Sequence, residues 1–112
     1  MKYNIYGKQG EIIATNYLKN KKYKLIETYY TNKIGEIDII AKKEDEIVFI
    51  EVKARSSTKF GLPNEAVNIT KQNKIHNVAL YYLQTKQLID EKYRFDVIEI
   101  LGEDINHIKR CF

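Results

Sequence analysis

Apolar positions along the chain recur first at helical spacing, then in alternation, then at helical spacing again and finally in alternation. Between positions 3 and 20, Ile5, Tyr6, Ile13, Tyr17 and Leu18 fall on one side of a predicted first helix, with charged residues between them. Gly7 and Gly10 weaken a helix by about 1 kcal/mol each relative to Ala, so they predict either close backbone packing or a helix that starts late, near Gly10. Lys19, Lys21, Lys22 and Lys24 then form a basic connection. Leu25 to Tyr30, Ile34 to Ala41 and Ile47 to Ala54 are rich in β-branched and aromatic residues, and the polar stretch Lys43-Glu44-Asp45-Glu46 suits a hairpin turn, which gives an antiparallel meander. A second helix is predicted from Thr70 as N-cap, with Ile75, Val78, Ala79, Tyr82 and Leu83 on one face. Tyr93 to Leu101 alternates as a strand, and Ile105 to Cys111 holds a short edge strand. The order α-β-β-β-α-β-β predicts a mixed α/β layer fold.

With 112 residues, 44% of them hydrophobic, the chain has material for one core, and a single domain over 1–112 is expected. The lone Cys111 cannot form an internal disulfide, which fits a reducing, cytoplasmic setting. The longest apolar run, Val78 to Leu83, is far short of the ~20 residues that cross a bilayer, and no apolar signal-peptide stretch follows Met1. No membrane role is expected. A formal charge of +4 permits a polyanionic partner without specifying one.

Sharper information lies in the polar residues of the middle hairpin. The stretch Ile47-Val48-Phe49-Ile50 is apolar on both faces, as in a central strand, yet Glu51 and Lys53 follow on one face of it. In the preceding strand Ile37, Ile39 and Ala41 alternate with Glu36, Asp38 and Ile40. If Lys42 pairs with Ile47 across the polar break, the same register sets Asp38 opposite Glu51. Directly opposed Cβ atoms lie about 5 Å apart, where like charges destabilise a sheet. A divalent cation removes that repulsion, since Mg²⁺ is held by one or two carboxylates with water and phosphate completing its shell. Lys53 could then orient or deprotonate a water, or neutralise charge on phosphorus, a set sufficient for phosphodiester hydrolysis. A register shifted by one residue instead leaves Asp38, Glu51 and Lys53 as an ion pair at a strand end. Glu11, on the helix that packs against this sheet, is a candidate third carboxylate; the plain alternative is a solvated helical glutamate.

The segments Ile34-Gly35-Glu36-Ile37-Asp38-Ile39-Ile40-Ala41, Val48-Phe49-Ile50-Glu51-Val52-Lys53-Ala54-Arg55, Phe60-Gly61-Leu62-Pro63-Asn64-Glu65-Ala66-Val67 and Arg94-Phe95-Asp96-Val97 closely resemble the YraN-like family of bacterial proteins. The resemblance runs through nearly the whole chain and includes Gly7, Gly10-Glu11, Ala14, Lys71, Lys74, Ala79 and Tyr82-Leu83. That family is similar to the restriction-endonuclease-like PD-(D/E)xK nucleases and, within them, to archaeal Holliday junction resolvases. The resemblance implies a central mixed sheet of four or five strands flanked by helices, with the active site where the second and third strands diverge. Position by position it makes Asp38 the first acid, Glu51 the second and Lys53 the lysine, with Glu11 as the helical glutamate that joins the metal site. Ile37 stands where the motif's Pro would be.

Lys71 and Lys74, early in the second helix, can grip a phosphate beside free backbone N–H groups, and Arg55, Ser56, Ser57 and Lys59 can contact a nucleic-acid backbone; solvated side chains are the plain alternative. Arg94 and Asp96 share a strand face and can pair. His76 and His107 lack partners at zinc spacing. The expected function is a Mg²⁺- or Mn²⁺-dependent endonuclease acting on DNA rather than RNA, with branched or flapped DNA among its substrates and a homodimer among its assemblies. The alternatives are a non-catalytic nucleic-acid-binding module and a protein-interaction adaptor that retain the fold.

Overall fold

A computed structural model describes residues 5–55 and 68–112. Its elements run α1 (Ile5–Asn20), β1 (Lys24–Thr31), β2 (Glu36–Lys43), β3 (Glu46–Arg55), α2 (Ile69–Thr85), β4 (Lys92–Leu101) and β5 (Asp104–Ile108). The strands form one mixed sheet in the order β1-β2-β3-β4-β5. β3 and β4 are parallel, joined by the crossover that contains α2, and the other neighbours are antiparallel. This is the expected α/β architecture and element order. Among the described residues no helix is long and apolar enough to cross a membrane.

The two helices cover opposite faces of the sheet, so β3 is apolar on both sides, as its sequence predicts. Ile47 and Phe49 pack with Ile75, Val78, Ala79, Tyr82 and Leu83 of α2, whereas Val48 and Ile50 pack with Ala14 and Leu18 of α1. Within the described residues α1 begins at Ile5, so both of its glycines are helical. At Gly10 the reason is close approach: a Cβ there would stand 2.7 Å from the Cβ of Ala54 on β3. The contact brings the next residue, Glu11, down onto the sheet.

Neither helix ends in glycine. Lys22 and Gln87 instead take left-handed backbone with φ of 70° and 59°. The N–H groups of the following Tyr23 and Leu88 then reach back to the carbonyls of Leu18 and Leu83, at 2.9 and 2.7 Å. Both endings are Schellman motifs in which a non-glycine residue bears the left-handed turn, sealed by an apolar contact with the last helical turn. At the start of α2 the cap is Asn68, whose side chain accepts the Lys71 N–H at 2.9 Å. The expected cap, Thr70, lies within the first turn instead, because an Asn with extended backbone two residues earlier already supplies the acceptor.

β4 and β5 are fastened by a buried carboxylate. Asp96 accepts from Arg94, from His107 and from the Arg110 backbone, so the expected Arg94–Asp96 pair is part of a larger network. Arg94 also reaches Glu46 on β3 and the Tyr23 hydroxyl, tying the strands to the end of α1.

The Gly10 contact yields a stability prediction. Gly10→Ala gains helix propensity, about 1 kcal/mol, but forces a methyl group against Ala54, and overpacking typically costs about 1–3 kcal/mol. The variant should therefore be less stable by about 1 kcal/mol, and Ala54→Gly added to it should restore the midpoint of urea unfolding. A Gly10→Ala protein more stable than the parent would refute this packing.

Candidate active site at the parting of two strands

The β2–β3 ladder follows the expected register, Lys42↔Ile47, but its last pair is Ile39↔Ile50. Asp38 and Glu51 are therefore not ladder partners, as the extrapolated register would have them. Beyond the last pair the strands part, and the Asp38 carboxylate fills the gap by accepting the Val52 N–H at 2.8 Å. The side-chain alternation also slips here: Ile37 packs in the same core as Ile40, on the α2 side, while Ile39 faces α1. On the other neighbour, Tyr29 lies between the pairs Thr28↔Ile39 and Tyr30↔Ile37 and has a left-handed φ of 54°. A left-handed tyrosine within a strand is strained, and such strain concentrates at functional sites. Nothing in the sequence marks Tyr29.

Three acids gather around this gap. Glu51 and Glu11 are 7% and 9% exposed, and Asp38 is largely covered. Burial pushes the Asp38 carboxyl well above the ordinary range, and the charge of Glu51 beside it adds to the rise against the opposing Val52 N–H bond. Burial likewise raises Glu11 to about 7; a bond from Tyr29 opposes the shift, while Glu51 and Glu36 reinforce it. Among the described residues, one oxygen of Glu11, Oε1, is buried with no hydrogen-bond partner. The site is thus short of positive charge. Asp38 and Glu51 form the close pair and the charge of Glu11 reaches Asp38, but among the described residues no three His, Cys, Asp or Glu side chains come near enough to form one ligand set.

Two lysines face the acids. Lys53 comes from β3, on the same face as Glu51, as expected, and Lys71 reaches in from the first turn of α2. Lys71 Nζ lies 2.9 Å from Glu51 Oε2, and its charge also reaches Lys53. Burial, with neighbouring Lys71 behind it, holds Lys53 below the usual lysine range. Asp38, Glu51, Lys71 and Lys74 line a cavity of about 350 Å³ together with Gly35 and Glu36. Gly35 allows α2 this close: a Cβ there would meet Lys74 Cε at 3.0 Å. A second cavity of about 270 Å³, beside Glu11 and Tyr29, opens on the α1 side.

The other candidates are placed differently. Arg55 is held by Glu99, with Nε 2.8 Å from Oε1, and is only 15% exposed. Glu99 pairs laterally with Lys53 in the β3–β4 ladder, and its charge within the otherwise apolar stretch Val97 to Leu101 was the signal that could have found it. Ser56, Ser57, Lys59 and the Phe60–Val67 motif lie outside the described residues. His107 is bound to Asp96 and Tyr17, and His76 packs 4.1 Å from Phe95 between ring centroids.

The profile of the family described as "Uncharacterised protein family UPF0102" matches residues 10–100, a span that contains Glu11, Asp38, Glu51, Lys53 and Lys71. A UPF0102 protein of Clostridioides difficile is 53% identical over 108 residues, covering 95% of each chain. One from Alkaliphilus metalliredigens is 50% identical over 109 residues, covering 95% of this chain and 96% of its own. One from Thermodesulfovibrio yellowstonii is 48% identical over 108 residues, covering 95% and 94%.

The raised acids make stability depend on pH with a definite sign. Each binds its proton more tightly in the folded chain than in the unfolded one, so stability falls as pH rises from the ordinary carboxylate range, near about 4, through about 7 for Glu11 and onward for Asp38. Asp38→Asn removes the charge while keeping an oxygen for the Val52 N–H. In EDTA its melting temperature should exceed the parent's by roughly 5 °C at about pH 8 and match it at about pH 4. Parallel melting curves across that range would refute the assignment.

Proposed function

The chain belongs to the UPF0102 family, and we propose from the geometry of its acidic site that it is a divalent-metal-dependent endonuclease acting on DNA, with branched and flapped forms among its substrates. The reading rests on one observation: two carboxylates from adjacent strands, Asp38 and Glu51, meet in a cavity at the point where those strands part, within electrostatic reach of Lys53 on β3. It is supported by the charge deficit of the site, seen in the raised carboxyl groups of Asp38 and Glu11 and in the orphaned buried Glu11 Oε1. These residues fit Mg²⁺ or Mn²⁺, which take one or two protein carboxylates and fill the remaining positions with water and substrate phosphate. Asp38 and Glu51 would hold the ion, with Glu11 adding negative field. When bound, the ion supplies Lewis-acid polarisation of a phosphoryl oxygen and a lowered pKa for its water.

The chain's own residues do the rest. Lys53, held below the usual lysine range by burial, can orient the attacking water and take up its proton, or neutralise charge building on phosphorus. Lys74 and the first turn of α2 stand on the cavity wall, where a backbone phosphate would lie. Arg55 serves Glu99 and leaves the phosphate contacts to α2. Two copies of the chain, one per strand, would suit a junction substrate, and sedimentation with and without junction DNA tests that assembly.

The full chain, incubated with linear, flapped and four-way-junction DNA and with RNA in Mg²⁺, Mn²⁺ or EDTA, should cleave DNA only with metal. Asp38→Ala and Lys53→Ala should each lose at least about a hundredfold in rate. DNA binding without cleavage under every condition would replace this reading with a binding module. No nucleic-acid affinity at any salt would point to an adaptor.

A further inference from the structure

The Lys71 ammonium touches Glu51, one of the two acids assigned to the metal, although Lys71 belongs to a different element from the motif. Its first-turn position is fixed by the Asn68 cap, which accepts the Lys71 N–H at 2.9 Å. From there the side chain, 38% exposed, runs along the cavity wall to a Glu51 side chain that is only 9% exposed. Lys53, on the same β3 strand as Glu51, lies within electrostatic reach of that carboxylate. A buried carboxylate without a partner is costly, so the Lys71 contact compensates Glu51 directly.

A divalent cation at Asp38 and Glu51 changes the balance. The Lys71 ammonium already sits on Glu51, and two more positive charges beside it are repelled unless it leaves. Lys53 is anchored on the central strand of the sheet, whereas Lys71 stands at the rim on a flexible four-carbon stem, with the cavity and Lys74 within its sweep. We propose, resting on the metal-site reading above, that Lys71 is an internal counter-ion of Glu51 that a divalent cation displaces, and that the released ammonium turns to the substrate phosphate. Lys71 then opposes metal binding in the absence of substrate and assists it in its presence. A phosphate that draws Lys71 away from Glu51 raises metal affinity, and by reciprocity the metal raises phosphate affinity. The device keeps the ion weakly held until a phosphodiester arrives.

The test is Mg²⁺ titration calorimetry on the full chain at fixed pH, with Lys71→Met, which keeps the aliphatic stem, and Lys71→Arg, which keeps the charge. Lys71→Met should bind Mg²⁺ roughly tenfold more tightly than the parent, and Lys71→Arg should resemble the parent. In EDTA, Lys71→Met should melt below the parent, and saturating Mg²⁺ should abolish that difference. Adding uncleaved single-stranded DNA should raise Mg²⁺ affinity in the parent and not in Lys71→Met. Equal or weaker Mg²⁺ binding by Lys71→Met overturns the counter-ion role while leaving the metal site standing. No Mg²⁺ binding by either protein, or binding that survives Asp38→Asn, overturns the metal-site reading and the proposal with it. Should Lys71→Met fail to fold by circular dichroism, Lys71→Gln carries the same comparison.

Discussion

Hydrogen bonding between β2 and β3 ends at Ile39↔Ile50, and the acidic site follows from what the backbone does next. A strand N–H left without a ladder partner inside a protein must be satisfied, and Asp38 satisfies that of Val52 with its carboxylate. One bond thereby fixes the orientation of the first acid. It also spares Asp38 and Glu51 the directly opposed placement that a continued ladder would impose. The turn of backbone that accomplishes this reverses the alternation between Ile37 and Ile39, and the neighbouring strand accommodates it at Tyr29, whose hydroxyl bonds Glu11. A break in one ladder thus reaches the third carboxylate, on another element altogether.

β3 gives the site its rigidity. The residues that lead into it, Ile47 to Ile50, are locked alternately into the α2 and α1 cores. Glu51 and Lys53 continue that strand, flanked in the parallel ladder by Val97 and Glu99. Their Cα positions are therefore set by close-packed neighbours on both faces rather than by a loop, the arrangement that holds reactive groups to small tolerances. Movement is left to the long side chains at the edge, Lys71 and Lys74, which come from α2.

Periodicity carried the fold because both helices and β3 follow simple rules: one apolar face for α2, two for a strand covered on both sides. The register of the hairpin was legible for the same reason, since Lys43-Glu44-Asp45-Glu46 leaves little freedom in where the turn falls, and Asp38, Glu51 and Lys53 could be gathered from it. What was not legible depended on backbone geometry that residue type does not encode. Lys22 and Gln87 end helices in a conformation usually signalled by glycine. Tyr29 adopts a left-handed turn that tyrosine disfavours. The end of the ladder at Ile39 has no residue marker at all. The Lys71 contact with Glu51 was invisible because it joins elements through a tertiary approach, permitted by Gly35, that no local pattern specifies.

The chain contains its own comparison for the acids at the site. Asp96, fully buried, also suffers desolvation, yet bonds from His107, Arg94 and the Arg110 backbone hold its carboxyl below the ordinary range. Sequence and fold can therefore bury a carboxylate in this protein with every oxygen satisfied. At the strand parting they do not: Asp38 and Glu11 are pushed upward by burial and by other acids. The first arrangement stabilises the fold at neutral pH and the second weakens it. A cluster that lowers stability where a stabilising alternative is within the same chain's means is better explained by a cationic ligand than by architecture, and a scaffold serving only as an adaptor would gain by replacing Asp38 with an uncharged acceptor for the Val52 N–H.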